Sequence, residues 1–459
     1  MMQFASSYPS VSCKIALFII ILCTFTIYLL NVNNIYFKIG TKEDWLVRPA
    51  SYNTYCEWND SILANAVGQY ELHLCYKRAH LKPGLVTANA TIEESKIRTN
   101  GSSRRLRFEE LVSIPDSEWL ENFDRGVYLL YPQSIQIRET LQSLFKGKPI
   151  SEPPIFNPRI RFLHVPTNVC SPLTPTQAKV GLTDGSPRPN VVIVYKSGVY
   201  NFEERNHLRQ LYHLSNTNIS IHLIFSIGLP RSVLSNVFQR DGFNVTLRNR
   251  AGQKLMGHSH FPMRTKRMLL KEMYDHDDLL IGDYEDSYYN LSLKLFHTFQ
   301  WAARFCRPYK PIFVFLDDDY AVNTNKLVNF VRNSTPKSRE NLYHGYVVDV
   351  NPVLRPSNTS SRWAFSKREI PWPMHMPEYM GIYSMWSYCH VNDIALAMHF
   401  TKPTVVDDIW LGMVQYKLNL TFQSLDGMFS EVSPIEDHVN CSDIFFALIS
   451  EFERRRCNL

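Results

Sequence analysis

The chain has 459 residues, of which 45% are hydrophobic and 20% are charged, a composition typical of a globular protein that builds a core. Disorder as the main state is therefore excluded. The 49 basic residues exceed the 43 acidic ones by 6, too small an excess to indicate binding to a nucleic-acid backbone. At about 150 residues per domain, the length favours two or three folded units.

The first apolar segment predicts a membrane anchor. Residues 15–32 form a run of 18 without a charged side chain, just long enough to cross a thin bilayer. Lys14 precedes the run and favours a cytoplasmic N-terminus with a lumenal remainder. A cleaved signal peptide is the alternative, but bulky or polar residues follow the run where a cleavage site needs small ones. We therefore expect a cytoplasmic tail at residues 1–14 and an uncleaved signal anchor at residues 15–32.

Two further patterns favour a glycosylated, lumenal protein. Ten Asn-x-Ser/Thr sequons follow the apolar run, at Asn59, Asn89, Asn100, Asn218, Asn244, Asn290, Asn333, Asn358, Asn419 and Asn440. Seven of the nine cysteines also follow it, and none stands in a CxxC pair. A few disulfides with one unpaired thiol are therefore favoured over zinc or thioredoxin chemistry, and the connectivity is left open.

The region after the anchor shows no sustained periodicity. Nine of the 26 prolines lie between Pro149 and Pro189, which is typical of an extended connector. We expect residues 33–185 to form a lumenal stem with some structure of its own, and residues 186–459 to form one larger domain.

From residue 191 onward, strand patterns alternate with helical ones. Short apolar runs predict buried strands at residues 191–195, 221–227, 279–281 and 312–316. Helical patterns lie between them at residues 203–214, 264–274 and 290–305. This alternation predicts an α/β fold with a mostly parallel sheet covered by helices on both faces. A ligand site in such a sheet lies beyond the carboxyl ends of the strands.

The strongest chemical signal stands at the end of the last predicted strand. The apolar run stops at Asp317, Asp318 and Asp319, three carboxylates whose mutual repulsion is costly without a cation. Strand alternation puts Asp317 and Asp319 on one side, where they predict oxygen ligands for a hard divalent ion that also holds phosphate oxygens. An acidic turn or a helix cap is the alternative, and the position after a buried strand favours the ion. A membrane-anchored lumenal protein whose metal holds a diphosphate is most simply a nucleotide-sugar transferase.

Four sequence blocks follow one another between residues 190 and 412. They are Lys196-Ser197 with residues 201–209, residues 283–294, residues 317–323 and residues 406–412. In this order the blocks resemble the Golgi β-1,3-glycosyltransferase family, which includes β-1,3-galactosyltransferases, β-1,3-N-acetylglucosaminyltransferases and, more distantly, the Fringe enzymes. The chain departs from the family pattern at Tyr212, where tryptophan is usual, at Asp407, where glutamate is usual, and in residues 377–383, which follow it loosely.

The resemblance implies a GT-A-type, Rossmann-like catalytic domain at residues 186–459, a UDP-sugar donor, manganese, and inversion at the anomeric carbon to form a β-1,3 linkage. Such a displacement needs a carboxylate that removes the acceptor proton and a cation that neutralises the leaving diphosphate. By resemblance Asp408 is the base, with Asp407 as the alternative. Asp317 and Asp319 hold the metal, and Asp318 is a further candidate.

The same blocks assign a set of residues to the donor site: Lys196, Arg205, Arg209, Asp283, Tyr284, Asp286 and Asp318. Each assignment has a structural alternative. The two arginines either lie near the donor phosphates or pair with Glu203 or Glu204 on the helix surface. The residues around Tyr284 either shape the donor pocket or cap the following helix, and the aromatic-rich residues 363–386 are either an acceptor platform or core.

The sequence therefore predicts a type II Golgi membrane glycoprotein that transfers galactose, N-acetylglucosamine or N-acetylgalactosamine, with galactose favoured, from UDP to a 3-hydroxyl of a glycan. The acceptor is carried by a glycoprotein or a glycolipid, nucleic acid is not a partner, and a homo-oligomer is left open. The alternative from another class is a catalytically inactive lumenal glycan-binding or chaperone protein with the same fold.

Overall fold

A central sheet of nine strands positions the predicted site. The computed structural model describes residues 53–56, 62, 69–79, 90–132, 137–180, 190–212, 214, 219–230, 235–348, 351–356, 361–421, 423–432 and 435–459. The predicted tail and anchor lie outside these residues. Within them, none of the helices has both the length and the apolar character that a membrane span requires.

The strands of the described residues are β1 (Asn53–Cys56), β2 (Tyr70–His73), β3 (Ile92–Glu93), β4 (Arg105–Leu106), β5 (Ile160–His164), β6 (Val191–Lys196), β7 (Ile221–Leu229), β8 (Val237–Gln239), β9 (Asn244–Thr246), β10 (Leu279–Glu285), β11 (Ile312–Asp317), β12 (Tyr320–Val322), β13 (Tyr343–Val348), β14 (Glu378–Trp386) and β15 (Phe446–Leu448). The order in the central sheet is β1-β2-β5-β10-β7-β6-β11-β14-β13. Its centre, β10-β7-β6-β11, is parallel throughout. Strands β5 and β14 run opposite to the rest. The predicted α/β fold with a mostly parallel sheet is thus confirmed.

The helices of the described residues are α1 (Phe108–Leu111), α2 (Ile137–Phe145), α3 (Pro175–Val180), α4 (Phe202–Leu211), α5 (Asn249–Ser259), α6 (Pro262–His276), α7 (Leu291–Phe305), α8 (Thr324–Asn333), α9 (Pro336–Glu340), α10 (Tyr388–Met398), α11 (Asp407–Lys417) and α12 (Ile449–Arg454). Helices α4, α6 and α7 and strands β6, β7, β10 and β11 form where the sequence predicts them. Every residue of β6 from Val191 to Tyr195 is buried, so both faces of the sheet are covered at its centre.

The described residues of the region predicted as a stem, from residue 53 onward, belong to the compact unit that extends over residues 51–459. Strands β2 and β5 pair with each other, and β5 pairs with β10 of the central sheet. Residues 92–131 supply more than half of a second hydrophobic core, which residues 353–376 and helix α11 complete. The predicted boundary at residue 186 therefore does not separate two bodies in the described residues, because long-range strand pairing and apolar burial join the two sides.

Disulfides join distant parts of this unit. One connects Cys170 and Cys306 across 136 residues of sequence, and a second connects Cys441 and Cys457. Closing the long loop between Cys170 and Cys306 stabilises the fold by about 4–5 kcal/mol, because it lowers the entropy of the unfolded chain. Cys75 is also disulfide-bonded, and among the described cysteines Cys389 is a free, exposed thiol. The expected pattern of a few disulfides with one unpaired thiol agrees with this arrangement.

Candidate active site

Lys196 joins the two acidic segments that the sequence singles out. It ends β6 and stands opposite Asp317, the last residue of β11, in the parallel register. Its ammonium lies 3.0 Å from Asp317 Oδ1 and donates a hydrogen bond of 2.8 Å to Asp407 Oδ2, at the start of α11. The Lys196 ammonium group therefore links the C-terminal end of β11 to the N-terminus of α11.

Asp317 has a partly buried carboxylate with other charges close to it. Desolvation, together with the charges of Asp319 and Asp407, raises the pKa of Asp317 to about 7 even though the Lys196 charge lowers it. Its Oδ1 atom is buried and accepts no hydrogen bond, although the Lys196 ammonium is its ion-pair partner. An oxygen in this state is available to a cation.

Asp318 is directed to the loop that follows β6. Its Oδ2 accepts hydrogen bonds of 2.9 Å from Ser197 Oγ and 2.6 Å from Asn201 Nδ2. Its Oδ1 accepts one of 3.0 Å from the Arg250 guanidinium. Asp319, by contrast, is exposed. Of the three adjacent carboxylates, Asp318 is therefore the one committed to protein partners.

The fit of the site to a divalent ion can be judged from these donors. Within the described residues, no three His, Cys, Asp or Glu side chains gather as a complete ligand set. The groups at the end of β11 are carboxylates, and Asp317 offers a buried oxygen without a hydrogen-bond donor. This chemistry fits a hard ion that Asp317 and Asp319 would hold in part, with other oxygens, such as those of phosphates, completing its shell.

Asp408 and Asp407 begin the same helix but differ in their surroundings. Asp407 is buried and bound to Lys196. Asp408 is partly exposed, and its Oδ1 accepts a 2.8 Å hydrogen bond from the Ile409 N–H. Burial and the Asp407 charge raise the pKa of Asp408 to about 6, while Lys196 lowers it. Asp408 is thus ionised at neutral pH and has no side-chain cation of its own, as a general base requires.

The space around Asp408 depends on Gly381 of β14. A Cβ atom at this position would lie 3.0 Å from the Asp408 Cβ and 3.2 Å from its Oδ2. Behind the carboxylates lies a cavity of about 50 Å³, which Lys196, Asp407 and Asp408 border on one side and apolar side chains such as Phe299 border elsewhere. Asp408 therefore borders a small, mostly apolar cavity.

The two predicted donor-site arginines are bound to other partners than expected. Arg205 is fully buried and donates to both carboxylate oxygens of Glu272, at 2.8 and 2.6 Å. It also donates to the Gly198 carbonyl at 2.6 Å. Arg209 binds both carboxylate oxygens of Asp278, each at 2.7 Å. Arg205 thus supports the β6–α4 loop and α6, and Arg209 supports α6 and the residues that follow it. Neither arginine forms the predicted pair with Glu203 or Glu204 in the described residues.

The block at residues 283–294, which begins at the end of β10, contains residues that hold loops in place and residues of the core. The Asp286 Oδ2 atom accepts hydrogen bonds of 3.0 Å from the Val199 and Gly228 N–H groups, and its Oδ1 lies 2.8 Å from the Lys294 ammonium. Asp286 thereby fixes the loops that follow β6 and β7 to α7.

Asp283 and Tyr284, near the end of β10, contact other neighbours. Tyr284 is buried, and its ring lies 4.7 Å from that of His297. Asp283 lies 3.9 Å from the Arg161 guanidinium of β5. The structure therefore does not bring these two side chains together with Asp317 in the contacts described.

The aromatic residues between 363 and 386 mostly build the core. Trp372 and Trp386 are fully buried. Trp363 is 49% exposed, and the Arg362 guanidinium lies 4.4 Å from its ring centre and 5.3 Å from that of Tyr288. Among the aromatic side chains that the structure describes in this stretch, Trp363 beside Arg362 is thus the exposed candidate for an acceptor platform.

Three contributors to the site were not predicted from the sequence: Asn201, Arg250 and Gly381. Arg250 and Asp318 are 68 residues apart, and Arg250 lies in none of the four blocks. Asn201 lies in the first block, directly after the apolar β6, and a helix-capping role is the usual expectation for an asparagine there. The close approach of Gly381 to Asp408 would be signalled in the sequence only by the glycine itself.

Comparisons with known proteins agree with the blocks. Residues 254–426 match the family model described as Galactosyltransferase, and three of the four blocks lie inside this range. The chain is 23% identical over 243 residues to the Homo sapiens protein named lactosylceramide 1,3-N-acetyl-beta-D-glucosaminyltransferase, with 51% of this chain and 55% of the relative covered. It is 27% identical over 248 residues to UDP-GlcNAc:betaGal beta-1,3-N-acetylglucosaminyltransferase 9 of Homo sapiens, with 52% and 55% covered.

A third relative, beta-1,3-galactosyltransferase 5 of Pan paniscus, is 26% identical over 160 residues, with 34% of this chain and 50% of the relative covered. The chain thus spans about half the length of the curated relatives it matches. Among solved structures, the apo form of the bifunctional glycosyltransferase WbbM gives a TM-score of 0.26 at 10% identity, over 54% of this chain and 40% of that one. This likeness is too small to inform the fold.

Proposed function

We infer the activity from the premise that the chain belongs to the galactosyltransferase family through residues 254–426, and we propose that it is a β-1,3-glycosyltransferase. The family-level prediction made from the sequence blocks is confirmed. In our proposal the central sheet belongs to a GT-A-type fold, and the enzyme transfers a hexose or an N-acetylhexosamine, most simply galactose, from a UDP-sugar to a glycan 3-hydroxyl with inversion. The observation that carries the proposal is the meeting of Asp317, Lys196 and Asp407 beside the free-standing carboxylate of Asp408.

Asp408 acts as the general base in this proposal. Its pKa of about 6 leaves it ionised at pH 7, and its place at the edge of the site lets an acceptor hydroxyl approach its second oxygen. The hydroxyl becomes acidic as its oxygen bonds to the anomeric carbon, so an ordinary carboxylate suffices to take the proton. Asp407 is the weaker candidate because its carboxylate is bound to Lys196.

Asp317 and Asp319 hold the divalent cation, for which we propose Mn²⁺. When bound, the ion supplies positive charge to the leaving diphosphate. The chain supplies two carboxylates there and keeps Lys196 within 3.0 Å of the first, which prevents the acidic cluster from repelling an anionic donor. Anchoring as a type II protein of the Golgi membrane, with the catalytic domain in the lumen and acceptors on glycoproteins or glycolipids, is the localisation we propose from the apolar residues 15–32.

The purified full chain, incubated with Mn²⁺, glycan acceptors and a panel of UDP-sugars, should release UDP with one donor when an acceptor is present. The variant Asp408→Asn should lose 10²- to 10⁴-fold in kcat while it still binds UDP, because loss of a general base has effects of this size. Asp426→Asn, which removes an exposed carboxylate outside the site, is the matched control and should keep its rate.

Two outcomes would contradict the enzyme proposal: no turnover with any donor and acceptor, or turnover that Asp408→Asn leaves intact. The first, together with retained glycan binding, would favour the alternative of an inactive glycan-binding or chaperone protein.

A further inference from the structure

A protein cation can contact the diphosphate of a UDP-sugar beside the metal ion, but the arginines that the sequence assigned to this role are bound to other partners. Releasing Arg205 would leave the buried carboxylate of Glu272 with Arg209 alone, and releasing Arg209 would strand the carboxylate of Asp278. Lys196 is held between Asp317 and Asp407. A protein cation that binds the phosphates therefore has to be a different side chain that can reach the site.

Arg250 has the required position and freedom. It lies in the first turn of α5, and its side chain is 47% exposed. Its guanidinium lies 3.0 Å from Asp318 Oδ1, within the triple-aspartate segment, and 3.7 Å from Glu204 Oε1. A planar guanidinium at this place matches the geometry of phosphate oxygens.

The partners of Arg250 do not depend on it. Asp318 keeps hydrogen bonds from Ser197 and Asn201 on its other oxygen. Glu204 is also paired with Lys254. When Arg250 leaves, Asp318 therefore keeps two donors and Glu204 keeps Lys254. Arg250 also differs from Arg205 in exposure, because Arg205 is fully buried and Arg250 is half-exposed.

The helix end that carries Arg250 is itself suited to an anion. Helix α5 has no acidic residue in its first turn, and Arg248 at the N-cap position supplies no side-chain cap. Cations at the positive end of a helix oppose its dipole, and free N–H groups at such an end bind phosphate. A phosphate group would compensate the positive charge at this helix end and would accept hydrogen bonds from its N–H groups.

We propose that Arg250 is the diphosphate-binding residue of the donor site. Asp318 holds the guanidinium in place before the donor arrives, and the guanidinium then exchanges this carboxylate for a phosphate oxygen. The inference rests on the proposed function in that it takes the donor to be a UDP-sugar, and it names the residue that recognises the charged part of that donor.

The test is calorimetric titration of the full chain with UDP, UMP and uridine in the presence of Mn²⁺. For Arg250→Ala we expect the dissociation constant for UDP to rise at least tenfold, the constant for UMP to rise less, and the constant for uridine to change less than twofold. Arg250→Lys should fall between the wild type and the alanine variant, since an ammonium keeps the charge but not the fork of donors. Arg248→Ala removes a charge from the same helix end and should change the UDP constant less than threefold.

The outcomes separate the inference from the proposed function. If the wild type binds no UDP, the proposed donor is wrong. If the wild type binds UDP and Arg250→Ala binds it equally well, the role of Arg250 is wrong and the proposed function stands. An equal loss for uridine and UDP in both Arg250 variants, or a loss of the same size in Arg248→Ala, would also overturn the role, because it would indicate a structural or a general charge effect.

Discussion

At the scale of single residues, Lys196 sets the charge balance of the site. It compensates two carboxylates that end different elements, Asp317 of β11 and Asp407 of α11. Both acidic segments were predicted from the sequence, because apolar runs that stop at carboxylates are visible locally. The ion pairs by which Lys196 links these segments were not predicted, because Lys196 and Asp407 are 211 residues apart and only the fold brings them to 2.8 Å.

The pH dependence of activity should report this balance. Because the pKa of Asp408 is about 6, protonation of the base should lower kcat/KM about tenfold for each pH unit below that value. Lys196 lowers the pKa of Asp408, so Lys196→Gln should move the acid limb of the pH profile to higher pH. Lys337→Gln, at an exposed lysine of α9, should leave the limb in place. A limb that stays near pH 6 in Lys196→Gln would show that another group controls it.

At the scale of elements, the loop after β6 is fixed by buried ion pairs from two sides. Arg205 of α4 supports it through Glu272 of α6, and Asp286, after β10, supports it through Lys294 of α7. The sequence located α4, α6 and α7 because their periodicity is local. Arg205 was assigned to the donor site because Glu272, its partner 67 residues away, cannot be identified from a helix pattern.

Breaking the first pair should destabilise the protein. Arg205→Met leaves Glu272 buried with Arg209 as its remaining cation, so we expect a loss of about 3 kcal/mol, the low end for a broken buried pair. The double variant Arg205→Met, Glu272→Met should recover part of this loss because it removes the stranded charge. Urea unfolding measures both, and Arg264→Met, at an exposed arginine of α6, should change the free energy of unfolding by less than about 0.5 kcal/mol. If Arg205→Met left the free energy of unfolding unchanged, the supporting role of Arg205 would be refuted.

At the scale of the whole molecule, the described residues between 53 and 180 are part of the folded unit that continues to residue 459. Their strands are short and lie in a proline-containing region, so periodicity alone did not reveal them, and their partners in β10 and α11 are distant in sequence. Residues 92–131 pack against Ile409 and Met413 of α11, the helix that begins with Asp407 and Asp408. The supposed stem thus supports the helix that presents the predicted base.

A chain that begins at residue 150 should therefore fold poorly compared with one that begins at residue 51. The shorter chain lacks β2 and the residue 92–131 part of the second core, and each fully buried large apolar side chain contributes about 1.5–3 kcal/mol. Size-exclusion chromatography and thermal melting by circular dichroism should show aggregation or a strongly lowered melting temperature for the shorter chain. Equal melting temperatures would mean that the N-terminal strands are dispensable.

The pairing of β5 with β10 also sets an order in time. β5 ends at His164 and its partner β10 is complete only at Glu285, a delay of about 6–24 s at a synthesis rate of about 5–20 residues per second. The apolar side chains of residues 92–131 wait longer still, until Met413 has been made. During synthesis, an unpaired strand edge and an incomplete core are thus exposed before α11 exists, and the newly made chain should depend on chaperones in that interval.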